Sequence, residues 1–195
     1  MIYVTSDLHF GHDKKFIYGP RGFKSVQEND ETIIEHWNSV VKPEDKVYIL
    51  GDLMLNDNAH GIECLKRLNG EKSFIRGNHD TKARLKLYMD EQGADIGYIG
   101  DACFLDYKGY HFYMSHYPTL TGNLDDRGLK HITLNLFGHT HQKENFYEDR
   151  PYMYHVGVDS HDCYPVSLDQ IIEDIKQKAK ECEEKNVVNE SPDRV

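Results

Sequence analysis

Short apolar runs alternate with amphipathic stretches through the first half of the chain. Ile2-Tyr3-Val4-Thr5 reads as a buried strand that ends in the polar cluster Ser6-Asp7-Leu8-His9. Residues 10–26, rich in glycine and carrying Pro20, read as an irregular loop. Apolar positions at Ile33, Ile34, Trp37, Val40 and Val41 predict a helix over Glu28–Val41. Val47–Leu50 is a strand bounded by Gly51, and Ala59–Leu68 is a helix stopped by Asn69-Gly70. Ser73–Arg76 is a third strand, and Thr81–Glu91 a further helix. The pattern then changes. Cys103–Tyr107 and Tyr110–Ser115 read as a hairpin around Lys108-Gly109. Ile132–Phe137 and Tyr152–Val158 read as strands, and Leu168–Glu184 as a closing helix with Ile171, Ile172 and Ile175 inward. Strand–helix alternation followed by strands predicts an α/β (α+β) domain with one or two central sheets.

Length and composition narrow this picture. A chain of 195 residues with 38% hydrophobic and 29% charged residues fits one globular domain, expected over 1–185, with a polar, frayed tail at 186–195. No run approaches the ~18 apolar residues of a membrane span. Met1 leads straight into the first strand without a charged leader or apolar segment, which predicts a cytoplasmic protein. Cys64, Cys103, Cys163 and Cys182 form no C-x-x-C pair and read as free thiols. A net charge of −10 argues against a broad nucleic-acid-binding surface. It leaves room for a nucleotide substrate drawn to bound cations. The oligomeric state stays open.

Where the polar residues sit matters more than how many there are. Asp7-Leu8-His9 follows the first strand, Gly51-Asp52 the second, and Gly77-Asn78-His79-Asp80 the third. His116 and Gly138-His139-Thr140-His141 close two later strands. Ligands of open α/β sheets gather at the carboxyl ends of strands. In an extended segment, side chains at i and i+2 share a side, so Asp7 and His9, like His139 and His141, can face one ion. Carboxylate, imidazole and amide oxygen suit Mn, Fe, Zn or Ni. Asp7, His9, Asp52, Asn78, His116, His139 and His141 are too many for one ion. Two ions bridged by Asp52 use the set.

This ordered set of D-x-H, G-D, G-N-H-D, H and G-H-T-H resembles the calcineurin-like metallophosphoesterase superfamily, in its compact microbial or viral form. The resemblance runs from residue 7 to 141. It implies two mixed β-sheets packed as a sandwich with flanking helices, a four-layer fold. It implies a first ion, Mn²⁺ in preference, held by Asp7, His9, Asp52 and His141. A second would be held by Asp52, Asn78, His116 and His139. The reaction expected is hydrolysis of a small, nucleotide-type phosphodiester by in-line attack of a metal-bridging hydroxide. The resemblance also makes His79 the group that faces the scissile oxygen, with Asp80 fixing its tautomer.

Several residues have quieter readings. Asp80 can cap the helix that follows it. His12 can touch substrate phosphate or a metal ligand, or lie at the surface. Arg21 and Arg127 are candidate phosphate clamps but read better as solvated loop residues. Gly51-Asp52 continues as Leu53-Met54-Leu55-Asn56 rather than into the D-R-G of protein phosphatases, which disfavours a phosphoprotein substrate. A phosphomonoesterase is the nearest rival. A non-catalytic scaffold would show eroded ligands, and none is eroded here.

Overall fold

The computed structural model describes residues 1–90, 96–121 and 128–189, with side chains to residue 185. The Glu91 end of the predicted third helix, Arg127 and residues 190–195 of the expected tail lie outside the described residues.

One sheet has the order β4-β3-β2-β1-β9, built from β1 (Ile2–Thr5), β2 (Lys46–Ile49), β3 (Glu71–Ile75), β4 (Ile96–Gly100) and β9 (Val166–Ser167). Its first four strands run parallel, and β9 is antiparallel to β1. The other sheet has the order β5-β6-β7-β8, from β5 (Ala102–Tyr107), β6 (Tyr110–Ser115), β7 (Thr133–Phe137) and β8 (Met153–His155). Here β5 and β6 form an antiparallel hairpin, and β6, β7 and β8 run parallel. Both residues of the hairpin turn, Lys108 and Gly109, have positive φ, as its tight two-residue connection requires. Both sheets are therefore mixed.

The period-2 alternation along the strands explains the layering. Tyr3, Val47, Ile49 and Phe74 bury into one cluster with Ile33, Ile34 and Trp37 of α2 (Val26–Val40), Leu65 of α3 (Asn58–Lys66), and Leu85 and Tyr88 of α4 (Lys82–Asp90). Val4, Tyr48 and Ile75 face the opposite way. They pack on Phe112, Met114, Leu134, Leu136 and Tyr154 of the second sheet, joined by Ile171, Ile172 and Ile175 of α5 (Leu168–Asn189). The strands β1, β2 and β3 are thus largely buried on both faces, which is why β1 and β2 read as continuous apolar runs, whereas β4 at the edge is largely exposed.

The differences from the sequence expectation have local causes. The short helix α1 (Lys15–Tyr18) interrupts the predicted loop. The helix α2 starts at Val26 because Ser25 Oγ accepts the Glu28 N–H at 3.2 Å. β4 escaped notice because Gly97 and Gly100 break its apolar run, and β9 because it has two residues. The strand predicted over Tyr152–Val158 is only three residues long, since a 3₁₀ turn begins at Val158. The closing helix continues to Asn189.

One buried core histidine makes stability pH-dependent. His155 in β8 is fully buried, its Nδ1 2.8 Å from Ser160 Oγ and its Nε2 without a partner. Burial first, and then the neighbouring His161, pushes its pKa down to about 3. The folded state therefore holds a neutral ring while the unfolded chain takes a proton below about 6.5. This contribution to stability is complete above that pH and is lost as pH falls toward 3. Denaturant unfolding of metal-free protein should lose up to ~1.4 kcal/mol per pH unit from this residue below pH 6.5. His155→Gln should flatten that slope by one proton. An unchanged slope would show that His155 is protonated in the fold.

Candidate metal centre

Five strands deliver their carboxyl ends to one place. Asp7 and His9 follow β1, Asp52 follows β2, Asn78 and His79 follow β3, His116 follows β6, and His139 and His141 follow β7. The ends of the two sheets are tied together there. Ser6 pairs with Gly157 as an isolated bridge, and His139 N donates to Asp7 Oδ2 at 2.9 Å. The expectation that Asp7/His9 and His139/His141 face one side along extended chain is corrected. Asp7, His9, Asp52, His139 and His141 all have left-handed backbone, with φ of 58°, 52°, 55°, 70° and 49°. Alternating left-handed residues coil each segment, so Asp7 and His9 converge on one point, while His139 and His141 turn to the two sides of the centre. Each such residue costs on the order of 1 kcal/mol, a strain that collects at functional sites.

Two glycines make the convergence possible. A Cβ on Gly51 would come within 2.6 Å of His116 Nδ1, and one on Gly77 within 2.6 Å of the Asp52 N–H nitrogen. Only residues without side chains let these loops touch.

Hydrogen bonds aim the polar atoms. Asp7 Oδ2 accepts from Ser6 Oγ at 2.6 Å and from His139 N at 2.9 Å, leaving Oδ1 unpartnered. His9 Nε2 is likewise buried without a partner, 4.0 Å from Asp7 Oδ1 and 3.6 Å from Asp52 Oδ2. His141 Nε2 lies 3.9 Å from Asp7 Oδ1. On the other side, His116 Nδ1 donates to the Leu50 carbonyl at 2.8 Å, which leaves Nε2 as a lone pair. That Nε2 is 3.6 Å from Asp52 Oδ2, 2.8 Å from Asn78 Oδ1 and 3.2 Å from His139 Nδ1. His139 Nδ1 is 2.9 Å from Asn78 Oδ1. Donors ~2.1 Å from a common ion stand ~3 Å apart at right angles and ~4.2 Å apart when opposed. The observed separations fall in or just below that range, and two buried donors have no other partner. These residues fit divalent metal ions. Asp52 Oδ2 is equally distant, at 3.6 Å, from His9 Nε2 and His116 Nε2.

The surroundings keep the ligands ready. Burial above all holds the pKa of His9 well below the usual imidazole range, and burial also lowers that of His139, so both rings are neutral donors. Burial raises the Asp52 pKa. His141 behaves differently. Burial pulls its pKa down, but the Asp159 hydrogen bond and the charges of Asp7 and Asp159 together raise it. His141 Nδ1 donates to Asp159 Oδ2 at 2.8 Å. Arg21 Nε meets Asp159 Oδ1 at 2.9 Å, and its Nη2 donates to the Asp7 carbonyl at 2.7 Å. His141 and Arg21 outweigh burial and hold the Asp159 carboxyl far below the ordinary range.

Some expectations change accordingly. Arg21 is neither a phosphate clamp nor a solvated loop residue; its side chain is 1% exposed and locked to Asp159, Asn29 and the backbone at Asp7 and Leu8. His12 is not a surface residue: its Nδ1 is 3.4 Å from His9 Nδ1, and burial lowers its pKa to about 4. Asp80 does not meet the His79 ring. Its Oδ2 accepts from Asp52 N at 2.7 Å and Gly77 N at 2.8 Å, and Tyr88 OH donates to its Oδ1 at 3.0 Å. Nor does Asp80 cap α4; Thr81 Oγ1 accepts the Arg84 N–H at 3.3 Å. His79 holds Asp52 Oδ1 through its own N–H at 2.9 Å, while its half-exposed ring stands with Nε2 3.9 Å from Asp52 Oδ2. Asp159 and Tyr117 were missed. Nothing in the sequence near Asp159 ties it to His141. Tyr117, half exposed, sets its ring edge-on to His116 at 5.1 Å and His139 at 4.7 Å between centroids.

Comparisons with known proteins agree with this geometry. The chain is 35% identical over 187 residues to the uncharacterized protein MJ1445 of Methanocaldococcus jannaschii, covering 90% of this chain and 92% of that protein. It is 29% identical to the gene 66 protein of Mycobacterium phage D29, over 90% of this chain and 98% of that one. The crystal structure of the protein of unknown function AQ665 from Aquifex aeolicus superposes with a TM-score of 0.66 at 25% identity, covering 89% and 98% of the two chains. A family model described as the calcineurin-like phosphoesterase superfamily domain matches residues 1–162. With its two mixed sheets and its strand-end cluster of carboxylates and imidazoles, the chain belongs to the calcineurin-like phosphoesterase superfamily.

Proposed function

We propose that this protein is a cytoplasmic dinuclear-metal hydrolase of small, nucleotide-type phosphodiesters, with one catalytic domain over 1–185. The observation that carries the reading is the position of Asp52 Oδ2, 3.6 Å from a free imidazole nitrogen on either side. Asp52 would thereby belong to both ligand sets. Asp7 Oδ1, His9 Nε2 and His141 Nε2 complete the first set, and Asn78 Oδ1, His116 Nε2 and His139 Nδ1 the second. Their oxygen and nitrogen donors suit Mn²⁺. When bound, two such ions supply Lewis acidity toward phosphoryl oxygens and bring the pKa of water to about 7.

The chain's own residues supply the rest. His79 stands over Asp52 with its ring half exposed, able to hand a proton to the leaving oxygen. Asp80 acts as a positioning residue, since it fixes the backbone of Asp52 and Gly77 rather than the His79 ring. Beside Asn78 a groove of about 470 Å³ is lined by Arg76, Thr81, Lys82, Asp101 and Tyr117. It has room for the second substituent of a diester, with Lys82 to meet negative charge. No helix among the described residues is long and apolar enough to cross a membrane.

The test compares bis-p-nitrophenyl phosphate with p-nitrophenyl phosphate, with Mn²⁺ and with chelator. Faster, metal-dependent cleavage of the diester is expected. Preference for the monoester would move the assignment to a phosphatase, and no cleavage with both metals bound would overturn it. In the same assay His79→Asn should keep its metal content and lose ~10²–10⁴-fold in rate, most with poorly acidic leaving groups. An equal loss for good and poor leaving groups would remove His79 as the acid.

A further inference from the structure

Away from the strand-end centre, three unlike donors gather about one point. Asp30 comes from α2 and is fully buried, while His60 and Cys64 stand one turn apart on α3. His60 Nε2 is 2.9 Å from Asp30 Oδ2 and 3.4 Å from Cys64 Sγ. Both contacts fall on the same ring nitrogen, which offers a single in-plane position. If Nε2 carries a proton, it donates to Asp30 and gives the thiol hydrogen no acceptor. If it carries none, it can accept from the thiol but has nothing to donate to the carboxylate.

A nucleophile–base relay does not explain the cluster. Such a relay needs both nitrogens of the imidazole, one for the nucleophile and one for the orienting group. Cys64 is 1% exposed, and burial pushes its thiol up to about 12, so it is no nucleophile at neutral pH.

We propose that Asp30 Oδ2, His60 Nε2 and Cys64 Sγ form a separate site for a borderline-soft divalent cation, Zn²⁺ above all, with a fourth position open to solvent. A cation satisfies all three groups where a single proton on Nε2 makes only one of the two contacts. Binding forms a metal–thiolate bond and releases the thiol proton to water, and the imidazole keeps its single proton on Nδ1. Carboxylate, imidazole and thiolate on one ion is a zinc donor set, and the thiolate disfavours Mn²⁺. The His60 side chain, 36% exposed, provides the way in. The site also reaches the main centre. Asp30 Oδ2 accepts the Gly11 N–H at 2.9 Å, in the loop between His9 and His12. The proposal uses none of the seven donors of the main centre and holds whether or not that centre cleaves phosphoesters.

The test uses the full chain, stripped by chelator, loaded with Mn²⁺ and then titrated with Co²⁺. No donor of the main centre is a thiolate, so a sulfur-to-cobalt charge-transfer band distinguishes this cluster from that centre. The expected result is a band that saturates near one Co²⁺ per chain and is displaced by Zn²⁺. It should be lost in Cys64→Ser and in His60→Gln, and kept in Cys103→Ser. His60 lies at the surface, so His60→Gln decides the matter even if Cys64→Ser fails to fold. No band in the unmodified protein, or a band that survives His60→Gln, overturns the proposal.

Discussion

Asp52→Asn is expected to lower turnover more than about a hundredfold, beyond the usual cost of losing a partner that merely supports a ligand. It should also leave the protein folded. The amide retains an oxygen for the His79 N–H, now received by Asp52 Oδ1 at 2.9 Å. Without metal, the carboxylate is a cost to the fold. Its pKa is raised chiefly by burial, with Asp7 adding to the effect. A raised carboxylate pKa means that the unfolded chain loses this proton more readily than the folded one. Stability therefore falls as pH rises from the unfolded carboxylate pKa of ~3.9 through the higher folded value. Metal-free Asp52→Asn should consequently be at least as stable as metal-free wild type at pH 7, yet gain less on adding Mn²⁺. Thermal unfolding with and without Mn²⁺, together with metal content, checks this. Full activity with two ions bound would remove Asp52 from the bridging position.

The largest expected loss of stability comes from Asp159, which stands 18 residues beyond the proposed ligand His141. Its carboxylate sits between Arg21 and His141, buried together with Arg21 while His141 is partly exposed. Asp159→Ala leaves the Arg21 guanidinium, 1% exposed, without its charge partner. Removing one member of such a pair costs ~3–5 kcal/mol. It also frees His141 Nδ1, and losing a carboxylate that orients a metal-bound histidine lowers affinity ~10–100-fold. Both quantities are measurable, by denaturant unfolding without metal and by Mn²⁺ titration. Asp159→Asn should lose less of each, because the amide oxygen still accepts from one partner. A variant that loses stability yet binds metal as tightly as wild type would make Asp159 only the packing partner of Arg21.

The candidate ligands were legible in the sequence because each follows an apolar run at its carboxyl end, and such ends converge in sheets with parallel strands. Gly51 and Gly77 each precede a candidate ligand in the sequence, but the close approach of Gly51 to Gly77 and His116 is a product of the fold. The geometry within each i, i+2 pair was not legible, because left-handed φ at Asp7, His9, His139 and His141 depends on what holds the turn. That holding comes from Arg21 and from the Ser6–Gly157 bridge, 138 and 151 residues apart from Asp159 and Ser6 respectively in the pairs they make. Asp80 illustrates the same limit. Its neighbour in sequence suggested a role for it, and the nearest polar groups in space gave it another.

The residue order carries local information: where chain turns buried to polar, which side chains stand at each turn, and which donor chemistry they carry. Those follow from periodicity and residue type over a few positions. Packing between remote segments selects which oxygen of Asp7 is spent on Ser6 and His139, which nitrogen of each histidine faces the centre, and which residues stand behind them. Asp159, Tyr117 and the Asp30–His60–Cys64 cluster belong to this second kind. Their decisive partners lie elsewhere in the fold (Arg21 for Asp159, His139 for Tyr117, Asp30 for His60 and Cys64), and those contacts depend on ångström-scale distances between remote segments.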